Sequence, residues 1–197
     1  MKKLKGTILL FVFVMSLVFM LTACGSKTNE GESGDKKILT LCTAKELTNL
    51  TTLTMNKENN VACGLIYETL VSYENGKIVP KLAESWEWKN EGKTLVFKLK
   101  EGVVFSDGEK FNAEAVKKIL DFDHSNPNFG GIRGVAEIES TEVIDENTIV
   151  IYYGNFSKFY LNAFCFQNVL GIASPKVITE GNFETFSENI GTGPYIY

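Results

Sequence analysis

The sequence predicts a mixed α/β (α+β) fold in which hairpins lie beside helices. Three observations predict it. Two stretches, SWEWKNEGKTLVFKLK and EVIDENTIVIYY, carry β-type alternation around short polar turns. A third, FNAEAVKKILDF, places Val116, Ile119 and Leu120 on one helical stripe. The overall composition is globular, with 44% hydrophobic and 22% charged residues in a chain of 197, enough for one domain of ordinary size.

The chain opens on a segment of different character. MKKLKG is basic, and Ile8 to Leu21 is apolar except for Ser16. As a helix that run is about 21 Å long at 1.5 Å per residue, and a membrane span needs about 20 residues. The length and the basic flank therefore suit a signal h-region. Thr22-Ala23 supplies small residues for a cleavage site, and Cys24 follows at once. Residues 25–37, GSKTNEGESGDKK, are polar and lack apolar periodicity, which is tether composition.

The body is read in order. Lys37 to Leu41 reads as a first strand, and a polar loop follows it. VACGLIYETLVSY (61–73) reads as a helix, with Val61, Leu65, Ile66 and Leu70 at helical spacing. Asn75-Gly76 is a hairpin-type turn leading to Ile78-Val79-Pro80. Next comes the hairpin around Asn90-Glu91-Gly92, where Leu95, Phe97 and Leu99 share one face. Phe105 to Gly108 is a turn. Asn112 is the N-cap of the following helix, Glu114 sits in its first turn, and Phe111 can staple onto Val116. Residues 122–134, FDHSNPNFGGIRG, read as a loop, and the second hairpin turns at Asp145-Glu146-Asn147. FSKFYLNAFCF reads as a helix, VLGIAS as a short buried strand, Ser174-Pro175 as a helix start, and GTGPYIY as a turn entering a strand.

Charge and cysteines narrow the function. Net charge is −4; without Lys2, Lys3 and Lys5 of the leader, 17 basic residues face 24 acidic ones, so −7. An acidic body disfavours nucleic acid as a partner, since phosphate binding needs a basic face. Beyond Cys24 there are Cys42, Cys63 and Cys165, an odd number with no zinc-like spacing, so they read as small buried residues. Asp107 and Glu109 are close carboxylates, but Asp-Gly favours a turn over acid–base chemistry. Lys93-Thr94 lacks the glycine spacing and the strand-to-helix setting of a phosphate loop. His124, the sole histidine, reads as a solvated loop residue. No catalytic residue, cofactor or metal is expected.

Two resemblances add to this reading. Leu21-Thr22-Ala23-Cys24 resembles the bacterial lipobox, which implies lipidation of Cys24 and attachment outside the membrane; stable attachment takes more than one acyl chain. The run Leu82-Ala83-x-Ser85-Trp86, Gly92-Lys93-Thr94, Phe97-x-Leu99, Gly102-Val103-x-Phe105-x-Asp107-Gly108 and Ala113-Glu114-x-Val116-Lys117, with GTGPY near the end, resembles the extracytoplasmic solute-binding proteins of family 5. These are the peptide and nickel receptors of ABC importers.

The resemblance implies a type II periplasmic-binding-protein-like fold that binds a peptide or a small metal chelate. Its partners would be an ABC permease and ATPase, with the membrane reached through the lipid anchor. Residues 1–23 would be the lipoprotein signal, 24–37 the tether, and 38–197 the start of the large lobe plus the extra domain, with the second lobe absent. Its ligand-facing loops would carry Asn59 and Asn60, and Asn128 and Phe129. The sequence departs from nickel-type members, which place a methionine, a tryptophan and arginines near these loops and near Asn168 to Gly171. The alternatives are a lipoprotein outside transport, such as a chaperone or signalling receptor that reuses the fold, and a surface hydrolase; G-x-S-x-G is not in the chain.

Overall fold

The computed structural model describes residues 38, 40, 60–127, 131–178 and 189–196. The chain divides into two units, Met1–Cys42 and Thr43–Tyr197. Of the first, Ile38 and Thr40 are described, and neither is in regular structure. The strand expected over 37–41 otherwise lies outside the described residues, as do Cys24, the leader, the tether and Cys42.

The second unit holds α1 (Asn60–Ile66), β1 (Val71–Glu74), β2 (Lys77–Pro80), β3 (Ala83–Lys89) and β4 (Thr94–Leu99). These are followed by α2 (Ala113–Ser125), β5 (Ile138–Asp145), β6 (Thr148–Tyr153), α3 (Tyr160–Ala163) and α4 (Gln167–Leu170). A short 3-10 helix, Pro175–Ile178, comes last. Strands β1 and β2 form one hairpin, and an antiparallel sheet runs in the order β3-β4-β6-β5.

Both hairpins in the sheet match the alternation in the sequence. Leu95, Phe97 and Leu99 of β4 and Ile149, Ile151 and Tyr153 of β6 point to one face and are buried. Burial of each such side chain contributes roughly 1.5–3 kcal/mol. Helix α2 packs on β5 and β6 through Val116, Ile119 and Leu120. The Asn112 side chain caps it, accepting the Ala115 N–H at 2.9 Å. Lys117 ties the helix to β5: its ammonium donates to Asp121 at 2.7 Å and to the Thr141 hydroxyl at 2.9 Å.

Six expectations are corrected. The helix expected over 61–73 ends at Ile66, and Val71–Glu74 is strand β1. Asn75 and Gly76 both have positive φ, 50° and 80°, which sets a tight hairpin whose right-handed twist needs a strand on each side. The buried face of α1 is Ala62, Cys63 and Ile66, whereas Val61 is 72% exposed. Helix α2 runs on through Ser125, so Phe122 to Ser125, including His124, are helical rather than loop.

The helix expected over 156–166 shrinks to Tyr160–Ala163, because Phe156 is drawn aside to pack edge-on against Trp88 at 5.5 Å and over Gly92. The strand expected at 169–174 is instead the end of α4 followed by a buried piece without regular structure. A short buried apolar run carries no periodicity to separate the two. GTGPYIY forms a bend at 192–194, with no strand among the described residues 189–196.

Candidate functional site

The ligand-facing residues expected from the resemblance fall unevenly on the structure. Asn59, Asn128 and Phe129 lie outside the described residues; Asn60 is the first residue of α1. Helix α1 packs against α4, which overlaps the segment 168–171 where the chain departs from nickel-type members. Two stretches about a hundred residues apart in sequence are thereby brought together.

Backbone contacts hold this junction. Gly193 and Tyr195 donate their N–H groups to the carbonyls of Ile66 at 2.8 Å and Leu65 at 3.2 Å, the exposed carbonyls at the end of α1. Ile172 N–H donates to Glu68 O at 2.8 Å. Phe166, just before α4, is 48% exposed beside this seam. The sequence reading missed it, since nothing in an apolar run marks one phenylalanine as solvent-facing.

The other candidates resolve into structure. Asp107 Oδ1 accepts the Glu109 N–H at 3.0 Å, and its Oδ2 accepts the buried Ser174 hydroxyl at 2.8 Å. Lys176 pairs with Asp107 at 3.7 Å and with Glu109 at 3.1 Å. Partial burial pushes the Asp107 carboxyl up, but the Glu109 N–H, the Ser174 hydroxyl and the Lys176 ammonium outweigh it and hold it below the usual carboxylate range. Asp107 is thus a clasp between a turn and a segment 67 residues away, as the turn reading of Asp-Gly expects.

A cavity of about 270 Å³ opens beside this clasp, lined by Glu109, Lys110, Asn112, Lys118 and Lys176 among others, with no residue from α1 or α4. Its lysines and glutamates largely pair with each other or their neighbours, as Lys110 does with Glu146 at 3.4 Å.

His124 is exposed at the end of α2, with Nδ1 3.2 Å from Val135 O. Cys63 and Cys165 are buried as expected, and burial pushes both thiols up to about 11. Among the described residues, no group of three or more His, Cys, Asp or Glu side chains is placed to hold a metal ion. No described helix is long and apolar enough to cross a membrane.

Comparison with known proteins places this architecture. The profile of "Bacterial extracellular solute-binding proteins, family 5 Middle" matches residues 77–197, more than half of the chain. The glutathione-binding protein GsiB of Pectobacterium atrosepticum is 33% identical over 132 residues, which is 66% of this chain and 25% of that protein. The nickel-binding periplasmic protein of Escherichia coli K12 is 47% identical over 55 residues, 27% of this chain and 10% of that protein. In structure, NikA from Brucella suis in complex with Fe(III)-EDTA superposes with a TM-score of 0.69 at 30% identity, covering 75% of this chain and 30% of NikA.

The chain therefore spans about a quarter of the length of the glutathione-binding relative. The superposition on NikA shows a shared fold, and the type II periplasmic-binding-protein-like architecture expected from the sequence is the one found. On the matched profile and this shared fold, the chain belongs to family 5 of the bacterial extracellular solute-binding proteins.

Proposed function

We propose that the chain is the N-terminal part of a lipid-anchored receptor of an ABC importer. It captures a short peptide or a small metal chelate outside the membrane and delivers it to a permease–ATPase complex. Family membership is the observation that carries this reading. The ligand class follows from relatives named for glutathione, a small peptide, and for nickel, and from a solved relative that holds a metal chelate. Capture would shift a hinge equilibrium between open and closed lobes.

In this reading residues 1–23 are the lipoprotein signal, 24–37 the tether and 38–197 part of the binding domain. Asn59 and Asn60, with Asn128 and Phe129, face the ligand. The start of α1 at Asn60 and its packing on α4 support that placement. Anchoring through Cys24 keeps the receptor beside its permease, where effective concentration is high.

Titration calorimetry of the full-length receptor, of which this chain is the N-terminal part, against short peptides and against nickel–chelator mixtures checks the reading: saturable heat is expected from one class, and heat from neither overturns it. Anchoring has its own test. Cys24→Ser should abolish labelling by radioactive palmitate in cells, and label retained in the variant would remove the anchor.

A further inference from the structure

Helix α2 buries a carboxyl group that no mechanism above uses. Asp123 is 1% exposed, on the same stripe as Val116, Ile119 and Leu120. Its Oδ1 has no hydrogen-bond partner. It sits in the last turn of the helix, which is seated on the turn formed by residues 131–137 through His124 Nδ1 and Val135 O, 3.2 Å apart. We propose that Asp123 is a proton-operated latch: as the neutral acid it keeps the last turn of α2 seated, and its ionisation lets that turn open.

Among the described residues, the surroundings give the carboxylate no counter-charge. The elements packed on α2 are β5, β6 and the 3-10 helix. On β5, Glu139 is exposed and Glu142 accepts the Tyr152 hydroxyl. Asp145, at the end of β5, accepts the Asn147 N–H. On β6, the Tyr153 hydroxyl donates to Gly134 O at 3.0 Å. On the 3-10 helix, Lys176 is held by Asp107 and Glu109. In the 131–137 turn, Arg133 is exposed and Glu137 accepts the Gly134 N–H. On α2 itself, Lys117 is committed to Asp121 and Thr141.

Burial alone therefore acts on Asp123, and it pushes the carboxyl well above its usual range. A solvated aspartate ionises at about pH 3.9. Between that pH and the raised value, the seated turn holds a proton that the opened turn gives up to solvent. The seated state is thus fully favoured below the ordinary value and loses ground as pH rises toward the raised one, by about tenfold per pH unit for a single proton.

Amide hydrogen exchange on the full chain reads this directly. After correction for intrinsic exchange, protection of the amides of residues 122–126 should fall about tenfold per pH unit from about pH 4 upward in the wild type. It should be flat in Asp123→Asn and in Asp123→Leu, either of which serves if the other folds poorly. Carbon-13 shifts of the wild-type carboxyl need no variant and should show Asp123 still protonated at a pH where solvated aspartates are ionised. Equal slopes in wild type and variant, or a carboxyl that titrates in the ordinary range, would overturn the latch.

Discussion

Phe97→Ala is expected to lower the unfolding free energy by about 4 kcal/mol, the largest loss from any single side chain considered. Phe97 is fully buried at the centre of β4, between Trp86 on β3 and Ile149 on β6 in the ladder. Its ring also meets Phe164 at 5.2 Å and 56°, a tilted pairing that adds roughly 0.5–1.5 kcal/mol beyond burial. Truncation removes the ring from water-free surroundings and leaves a cavity walled by strands that cannot close on it. Urea denaturation measures the loss as a lower midpoint at unchanged slope. Phe159→Ala is the control, because Phe159 is 54% exposed. Equal losses in the two variants would mean that the sheet face is not the centre of the core.

Gly193→Ala is expected to cost about 3 kcal/mol by overpacking. Its N–H donates to Ile66 O, and a Cβ there would lie 2.6 Å from both the carbonyl carbon and oxygen of Ile66. Those atoms belong to the backbone at the end of α1, so no rotamer change relieves the overlap. The segment must instead leave α1, taking the Gly193 and Tyr195 hydrogen bonds with it. Gly102→Ala separates this steric effect from glycine's conformational freedom. Gly102 has φ +73° with open space around it, so alanine there strains the backbone and collides with nothing. Thermal unfolding should show a markedly larger drop for Gly193→Ala. A drop no larger than that of Gly102→Ala would remove the close contact as the reason for the glycine.

The GTGPY run thus gains a physical meaning. In sequence it reads as a turn entering a strand. In the structure its backbone completes the carbonyls of α1, and a glycine is needed because helix and segment touch without room for a side chain.

Local chemistry was legible where it sufficed. Asn112 caps α2 because its side chain reaches an N–H three residues on, a contact that needs no distant partner. The hairpin at Asn90-Glu91-Gly92 was legible for the same reason: all three residues take positive φ, at 52°, 56° and 83°. The sheet face was legible because alternation reports burial directly. The candidate site was less so. Asn60 alone of its four expected residues lies within the described structure, and Phe166 and Asp123 carry no local signature that separates an exposed ring or a buried acid from their neighbours.

By itself, then, the sequence determined the mixed fold class, the turns and caps that set the hairpins and α2, and the family. The tertiary structure alone decided that Val71–Glu74 pairs as a strand, that α1 meets α4, that Asp107 clasps Ser174, and that Asp123 is sealed with its Oδ1 unpartnered. The physical reason is range. Caps, turns and alternation are settled by groups a few residues apart. Pairing, docking and the desolvation of a single carboxyl depend on which distant surface arrives to cover it.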